Sequence, residues 1–387
     1  MRICFVSYEY PPDTGVGGIA TYVKQIASLL ASREIDVTVI CGSHQADSVI
    51  TENGYLVNKL QCKSRHHFTQ LSAAFLEKLH FKNKFDVVEV PEYRAEGYYI
   101  HKAIPDLPLV VKLHTPSYLI KRINDYYFDK KFFRRIKKFF KPYRFFKDRE
   151  YKVVCRNLTV STPSRSLIEI VKADWQLQDK HIYYAPNPYI ANQALLGLPI
   201  ETNSNTVLYA GRLETRKGVW NLAKAIPLVV QQYPTAKFIF VGKDSIDPFR
   251  RKSMQSLLIK EIGSYTSNVR FIDHVPLEEM PSYFAQADIC VFPSLWENFP
   301  NVCLEAMSAG KAVVASKEGG MKDMLQDIDG GFLINPHKPE QIAAAIVDLL
   351  QQKEKRWQMG YNNRKKITAY YSNSLINDLI KQYKSFY

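Results

Sequence analysis

The feature that most constrains this chain is an alternation of short apolar runs with helical repeats, which occurs twice along its 387 residues. In the first half, Arg2–Ser7 predicts a buried strand, and Gly18–Arg33 predicts a helix because its apolar residues recur every three or four positions. Further buried strands are predicted at Val37–Cys41, Val87–Val90, Leu109–Leu113 and Asn157–Ser161. Continuous apolar strands separated by helices indicate a parallel sheet with helices on both faces.

The pattern begins again after a polar, turn-rich stretch at 191–205. Strands are predicted at Thr206–Ala210, Lys237–Gly242, Val269–Ile272, Ile289–Pro293 and Ala312–Ala315, and helices at Gly218–Gln232, Pro276–Gln286, Val302–Ala309 and Pro339–Gln352. We therefore predict an α/β protein with two doubly wound, Rossmann-like domains, 1–190 and 206–365, a linker at 191–205, and a helix within 366–387 that packs back on the first domain. Two such domains facing each other leave a cleft at the carboxyl ends of their strands, where ligands of this architecture bind.

Charge and apolar content narrow the possible surroundings of the protein. The net charge of +14 predicts an anionic partner, such as nucleotide phosphates, anionic lipid, an acidic glycan or nucleic acid. Since no stretch reaches about 18 apolar residues, we expect a cytoplasmic protein, with peripheral attachment to the inner face of a membrane left open. The six cysteines are scattered without metal-ligand spacing, so we expect free thiols and no metal site.

The strongest chemical pattern is Ala210-Gly-Arg-Leu-Glu-Thr-Arg-Lys-Gly218, between a predicted strand and a predicted helix. Gly211 lets the backbone approach a ligand closely, and the start of a helix suits a phosphate. Arg212 and Lys217 place two cations where a diphosphate leaving group would build charge. An exposed basic loop without a ligand is the less favoured interpretation.

A second pattern, Pro293–Gly310, contains Glu297 in the loop after a strand and Glu305 in the first turns of the next helix. Two carboxylates at this spacing can accept hydrogen bonds from two groups of hydroxyls, such as those of a sugar and a ribose. Glu305 lies among small and apolar residues, which indicates a buried carboxylate that needs partners. The alternative for both is a solvated surface charge.

Two features of the first half point to the same predicted cleft. Gly17 and Gly18 end a glycine-rich loop before a helix, although the loop matches neither a dinucleotide fingerprint nor a P-loop. His114 follows the predicted strand Leu109–Leu113, and a strand-end histidine lies at the edge of the sheet where ligands bind. A structural role for this histidine remains the alternative.

Together these segments resemble the retaining glycosyltransferases of family 4, which have the GT-B fold of two Rossmann-like domains facing across a cleft. The resemblance covers nearly the whole chain, from Tyr8-Glu-Tyr-Pro-Pro12 to the helix at 339–352. Gly17-Gly18 and Pro186-Asn187 match in the first half. The most specific matches lie in the second half: Ala210-Gly-Arg-Leu with Lys217-Gly218, Val241-Gly242, Phe271-Ile-Asp-His-Val-Pro276, and Glu297 with Glu305-Ala-Met-Ser-Ala-Gly310.

The resemblance implies a role for each matching residue. Arg212 and Lys217 would bind the donor diphosphate, and Glu305 would hold the ribose. Glu297 would hold the hydroxyls of the transferred sugar, with the backbone of Asn298, Phe299 and Pro300. Gly17 and Gly18 would lie at the cleft floor by the phosphates, His114 would face sugar and acceptor, and the base would lie near His274 and Val275. The family often has glycine where this chain has Asn298, so the choice of sugar stays open.

The resemblance also implies a reaction. A hexose would pass from a nucleotide-diphosphate sugar, with a UDP-sugar slightly favoured over a GDP-sugar, to a glycan or lipid-linked acceptor in polysaccharide or glycolipid synthesis. The family retains the anomeric configuration by front-face displacement and needs neither a metal nor a cofactor. The donor's own phosphate would help to deprotonate the incoming hydroxyl.

The stretch 130–147 is dense in Lys, Arg, Phe and Tyr, with its aromatic residues at helical spacing. This pattern is typical of a helix on an anionic membrane surface. A helix whose aromatic face packs on the first core while its cations stay solvated is the other interpretation.

Two further functions stay open at this stage. A GT-B sugar-nucleotide epimerase would bind a similar donor without an acceptor. A nucleic-acid-binding protein could use the basic stretch, but no recognition motif accompanies it, and we expect no nucleic-acid partner.

Overall fold

The structure is a computed structural model that describes residues 1–15, 17–126, 143–157, 159–247 and 250–386. It divides into two compact units. The first holds residues 1–121, 143–190 and 371–386 apart from residues 16 and 158, and the second is mainly Ala191–Tyr370. Each unit is built around its own sheet.

The strands of the described residues have the following bounds: β1 (Arg2–Ser7), β2 (Asp36–Ser43), β3 (Ser48–Glu52), β4 (Tyr55–Gln61), β5 (Val87–Pro91), β6 (Leu109–Lys112), β7 (Thr159–Thr162), β8 (Tyr183–Tyr184), β9 (Thr206–Ala210), β10 (Lys237–Val241), β11 (Val269–Ile272), β12 (Ile289–Phe292), β13 (Ala312–Ser316) and β14 (Gly331–Ile334). The first sheet has the order β3-β4-β2-β1-β5-β6-β7-β8 and the second β11-β10-β9-β12-β13-β14. All pairs are parallel except β3 with β4. The prediction of two doubly wound parallel sheets is therefore confirmed.

The α-helices of the same residues are α1 (Gly18–Ala31), α2 (Arg65–Lys82), α3 (Ile100–Ala103), α4 (Ser117–Tyr126), α5 (Arg149–Arg156), α6 (Arg165–Trp175), α7 (Gln193–Leu196), α8 (Val219–Gln232), α9 (Met254–Ile262), α10 (Met280–Gln286), α11 (Asn301–Ser308), α12 (Met321–Leu325), α13 (Pro339–Gln351), α14 (Lys353–Lys366) and α15 (Leu375–Lys384). A π-helical segment, Ile367–Ser374, joins α14 to α15. None of the described helices has the length and apolar content needed to cross a bilayer.

Buried strands form the centre of both units. All five residues of β5 and of β9 are buried, as expected for strands covered on both faces. In the first unit, Ile376, Leu379 and Tyr383 of α15 pack in one core with α1 and β1. The six cysteines are free thiols, as the sequence predicts, and five of them are buried.

The stretch predicted to be a basic aromatic helix, 130–147, lies mostly outside the described residues. Its described end begins at Tyr143, whose ring stacks on Tyr118 at a centroid distance of 4.9 Å. The Tyr143 hydroxyl accepts a hydrogen bond from the indole of Trp175 at 2.9 Å. This end of the stretch therefore packs on α4 and α6.

Candidate functional site

Four neighbouring strands of the second sheet, β10-β9-β12-β13, direct their following loops to one edge. Gly218 shows how closely these loops pack. Its backbone is left-handed, with φ +71°, and a Cβ atom at this position would lie 1.8 Å from the carbonyl oxygen of Pro293. Because only glycine fits there, the loop after β9 can lie directly against the loop after β12.

The loop after β9 carries three cations, of which two contact the same carboxylate. A single helical turn, Thr215–Lys217, aims both Arg216 and Lys217 at Oε1 of Glu297. The Arg216 guanidinium lies 3.1 Å from that oxygen and 2.7 Å from the Glu214 carboxylate. Arg212 differs, because 62% of its side chain is exposed and it lies 3.5 Å from Glu214.

Glu297 is the centre of this cluster and is 8% exposed. Burial alone would raise the pKa of its carboxyl, but Lys217 and Arg216 outweigh burial and hold that pKa below its usual value. The group is therefore an ionised carboxylate at neutral pH. Its second oxygen, Oε2, has no hydrogen-bond or ion-pair partner among the residues that the structure describes.

The backbone of Glu297 is held by the loop after β13. Gly320 donates its N–H to the Glu297 carbonyl at 2.9 Å, and Gly319 forms a parallel bridge with Glu297. A Cβ atom on Gly319 would lie 2.0 Å from the same carbonyl oxygen. This glycine pair therefore fixes the position of the carboxylate, and the Gly320 N–H is already used within the protein.

Glu305 lies one helical turn inside α11 and is half-buried. Burial raises the pKa of its carboxyl to about 7. No hydrogen bond or ion pair to its side chain is found within the described ranges. A carboxyl that is desolvated without a protein partner has hydrogen-bonding capacity left for a ligand.

The other residues of the second unit that were predicted to bind the nucleotide sugar lie around the same edge of the sheet. Asn298 is 8% exposed, and Phe299 and Pro300 are half-buried at the start of α11. Asn298 does not adopt a left-handed backbone, so the loop needs no glycine there. After β11, His274 is exposed and Val275 is half-buried.

One Asp-x-Asp triplet, Asp327-Ile-Asp329, lies in the loop before β14. This loop lies at the opposite edge of the sheet from Glu297, because it precedes its strand. Across the described residues, no group of three or more histidine, cysteine or acidic side chains could hold a metal ion.

In the first unit, Gly17 and Gly18 begin α1, and both are exposed. Among the residues that the structure describes, a Cβ atom on Gly18 would meet nothing within 4 Å, and one on Gly17 would come no closer than 3.6 Å to Glu9. Packing against these residues therefore does not require glycine at either position.

His114 lies just beyond the end of β6, as the sequence predicts, with Leu113 between it and the last strand residue, Lys112. Its backbone N–H donates to the buried Glu92 carboxylate at 2.7 Å, and its ring meets the edge of Tyr22 at a centroid distance of 5.4 Å. Burial, assisted by the charge of Lys112, lowers the pKa of His114 to about 3. The imidazole is therefore neutral at physiological pH.

The structure brings Lys217 and Glu297 into direct contact, and it adds a residue that the sequence analysis did not single out. Arg216 joins Glu214 to Glu297, whereas within the described residues the Arg212 side chain makes only a long contact with Glu214. Arg216 stands inside the run 210–218. A helical turn over 215–217 would have pointed to Arg216 and Lys217 together, but no sequence pattern predicts so short a turn.

Two parallel-sheet α/β units of this kind are found together in a known class of proteins. The GT-B glycosyltransferases have two Rossmann-like halves of this kind, and solved members resemble the whole chain. Sucrose-phosphate synthase from Thermosynechococcus elongatus has a TM-score of 0.73 at 20% identity, covering 99% of this chain and 98% of that chain. Alr3699/HepE of Anabaena, solved in complex with UDP, has a TM-score of 0.68 at 18% identity, covering 100% of both chains.

Family models match both halves of the sequence. The model for glycosyltransferase family 4 matches residues 16–191, and the model for glycosyl transferases group 1 matches residues 197–366. The chain belongs to glycosyltransferase family 4 and is a glycosyltransferase. An uncharacterised glycosyltransferase of Methanocaldococcus jannaschii is 25% identical, covering 99% of this chain and 98% of that protein.

Proposed function

We propose that this protein transfers a hexose from a nucleotide-diphosphate sugar, with UDP favoured over GDP, to a glycan or lipid-linked acceptor. The observation that carries the proposal is the contact of Arg216 and Lys217 with Glu297 at the edge of the second sheet. Two cations at this place can neutralise the charge that develops on a departing diphosphate. The Oε2 of Glu297, which has no partner among the described residues, can accept hydrogen bonds from hydroxyls of the sugar.

Glu305 supports the nucleotide part of the proposal. Its carboxyl is desolvated and without a protein partner in the described part of the chain, and a ribose diol supplies two donors for such a group. The structural likeness to a protein solved with UDP favours uridine as the base. In this arrangement, His274 and Val275 would contact the base, and Gly17, Gly18 and Gly211 would lie by the phosphates.

The proposed reaction retains the anomeric configuration by front-face displacement and uses no metal ion. The leaving phosphate helps to deprotonate the acceptor hydroxyl, and Arg212, Arg216 and Lys217 stabilise the diphosphate product. His114, neutral at working pH, faces sugar and acceptor as a hydrogen-bonding group. Glu297, with the backbone of Asn298, Phe299 and Pro300, orients the hexose.

We further propose that the enzyme works in the cytoplasm and at the inner face of a membrane, through 130–147. Described residues just beyond this stretch support an anionic partner. On α5, Arg149 and Arg156 are exposed, and their guanidinium carbons lie 5.4 and 5.8 Å from the centre of the Tyr98 ring. Neither arginine forms an ion pair within the described residues. The protein is expected to sediment with phosphatidylglycerol vesicles at low salt, and recovery in the supernatant would overturn this part of the proposal.

The test of the donor site is a thermal-shift panel with UDP, GDP, ADP, CDP and dTDP on the wild type and on Lys217→Ala. A ligand that binds only the folded state raises Tm by mass action. We expect a shift with UDP that is lost in Lys217→Ala. The control is Lys224→Ala, an exposed lysine of α8, which should keep the shift.

The outcomes of this panel separate three cases. A shift with another nucleotide would replace UDP and keep the transferase proposal. A UDP shift that persists in Lys217→Ala would remove Lys217 from the diphosphate site. No shift with any nucleotide would contradict the donor proposal.

A further inference from the structure

A buried carboxylate, Glu89 on β5, joins three elements of the first unit. The Tyr22 hydroxyl from α1 donates to its Oε1 at 2.7 Å, and the Tyr383 hydroxyl from α15 donates to its Oε2 at 2.6 Å. Glu89 is 3% exposed, and both tyrosines are buried. One carboxylate therefore ties the first helix and the last helix of the unit to the middle of the sheet.

A buried cation on the neighbouring strand completes this network. Lys112 of β6 is 1% exposed, and its ammonium donates to the carbonyl of Ala185 at 2.6 Å. The same ammonium lies 5.1 Å from the centre of the Tyr22 ring. Burial raises the pKa of the Glu89 carboxyl, which the charge of Lys112 opposes. The Tyr22 ring is thus held by its hydroxyl and by its face.

One member of this network, Tyr22, contacts a residue of the predicted site, His114. The rings of Tyr22 and His114 meet at an interplanar angle of 66° with centroids 5.4 Å apart. The Glu92 carboxylate accepts a hydrogen bond from the backbone N–H of His114. Edge-to-face contact fixes the relative orientation of two rings, so Tyr22 restrains the His114 side chain.

A contribution to stability does not by itself explain why the protein contains such a buried network. Replacing a buried charged pair by apolar residues of similar volume is often neutral or stabilising. A fully hydrogen-bonded buried network does, however, fix one geometry. Its members are therefore better explained by the orientation that they impose than by the free energy of unfolding that they contribute.

We propose that Tyr22 is a positioning residue for His114, and that Glu89 and Tyr383 hold Tyr22 in place. The proposal rests on the proposed part of His114 in sugar transfer. It makes α15, remote in sequence, a determinant of the geometry at the end of β6. None of these three side chains needs to touch the substrate.

The first test is a double-mutant cycle on the hydrolysis of UDP-glucose, followed as UDP release. Tyr22→Leu is expected to lower kcat about 10-fold with KM unchanged, because a misplaced site group slows the chemical step. In a His114→Ala background, the same substitution should change kcat less than about 2-fold, because it acts through His114. Equal losses in both backgrounds, or no effect of His114→Ala, would overturn the proposal.

A matched control separates positioning from loss of stability. Ile26 is fully buried on the same helix and in the same core as Tyr22. Ile26→Ala should lower Tm as Tyr22→Leu does but leave kcat unchanged at a temperature where both are folded. A parallel fall of kcat in Ile26→Ala would assign the effect to general destabilisation.

A second variant tests the link through α15 and does not depend on the folding of Tyr22→Leu. Tyr383→Phe keeps every ring and removes one hydroxyl from Glu89. The NMR signals of the His114 imidazole, assigned by their loss in His114→Ala, are expected to shift in Tyr383→Phe. Unchanged signals would remove α15 from the proposal.

The same measurements distinguish this inference from the proposed function. If the wild-type protein binds none of the nucleotides of the thermal-shift panel and releases no UDP from UDP-glucose, the donor proposal fails. If UDP binds with an unchanged Tm shift in all Tyr22 variants while the kinetic cycle shows no coupling, only the positioning role fails.

Discussion

At the scale of single residues, the second unit contains two acidic groups in opposite electrostatic states. Glu297 is held ionised by Lys217 and Arg216, whereas burial raises the pKa of Glu305 to about 7. A glutamate with a raised pKa favours the folded state below the pKa of the unfolded chain, near 4.5, and loses that contribution as pH rises through 7. The ionisation of Glu305 therefore lowers the free energy of unfolding at pH 8 and has no such effect at pH 4, where the carboxyl is protonated in the folded state.

Glu305→Gln is predicted to stabilise the free protein at alkaline pH and to weaken donor binding. We expect the free energy of unfolding to rise by about 2 kcal/mol at pH 8, because the variant has no charge to desolvate, and to change almost not at all at pH 4.5. Urea unfolding of both proteins at the two pH values measures this difference. A gain of the same size at both would contradict the assigned titration.

Binding of UDP-glucose should depend on pH through the same group. Ribose hydroxyls donate to the ionised carboxylate, so affinity is predicted to fall as pH decreases from 8 to 6, by up to about 10-fold for one protonation. The two phosphates of a nucleotide sugar have no second ionisation in this range, so the ligand does not titrate. Calorimetry on wild type and Glu305→Gln, which should give a flat profile, checks the assignment.

The two arginines of the loop after β9 are predicted to differ in how much each contributes to the free energy of unfolding. Arg216→Met should destabilise the protein by about 1–3 kcal/mol, since it leaves Glu297 with one cation. Arg212→Met should change stability by less than about 0.5 kcal/mol because the side chain is 62% exposed. Urea unfolding of both variants measures the difference, and equal losses would contradict it.

Sequence reasoning named Arg212, Lys217 and Glu297 and did not single out Arg216. Both arginines follow the same strand, and both are separated from Lys217 by few residues. Which one reaches Glu297 depends on the single turn Thr215–Lys217 and on the contact of Gly218 with Pro293. Such contacts join segments more than 70 positions apart, and one sequence does not contain that information.

At the scale of elements, several continuous apolar strands were predicted from the sequence, whereas the solvated strand β3 was not. β9 and β11 have the predicted bounds, and β1 matches Arg2–Ser7. The edge strand β3 was not predicted, because most of its residues are exposed and carry no alternation. The helix α2 was also missed, since its charged and apolar residues do not separate into clear faces.

Substitution by alanine is predicted to affect stability differently at two glycines near helix N-termini, Gly218 and Gly18. Gly218→Ala should cost at least about 2 kcal/mol, because a Cβ atom there collides with Pro293 and the backbone is left-handed. Gly18→Ala should leave Tm unchanged or raised, since its Cβ meets open space on a helix. Thermal unfolding separates the two variants.

The Gly18 variant also tests the proposed phosphate approach. If the donor phosphates pass close to Gly18, Gly18→Ala should weaken UDP binding several-fold while the protein stays fully folded. Undiminished affinity would remove this loop from the donor site.

At the scale of the whole molecule, the two units differ in how the chain completes them. The second is formed mainly by one continuous segment, Ala191–Tyr370, whereas the first needs residues 371–386 in its core. A fragment 191–370 is therefore predicted to unfold cooperatively by itself. A fragment 1–190 should resist proteolysis only when it is coexpressed with 371–386, and a stable, protease-resistant 1–190 alone would contradict this.

The place of α15 in the first core has a consequence for biosynthesis. The ribosome makes β1 and α1 early, but Ile376, Leu379 and Tyr383 leave it only after every residue of the second unit. The first unit therefore cannot complete its core until α15 has been translated, whereas the second unit can already fold. During that interval the nascent chain exposes the apolar side chains of α1 that share a core with α15 in the folded unit, and exposed apolar side chains are what a ribosome-associated chaperone covers.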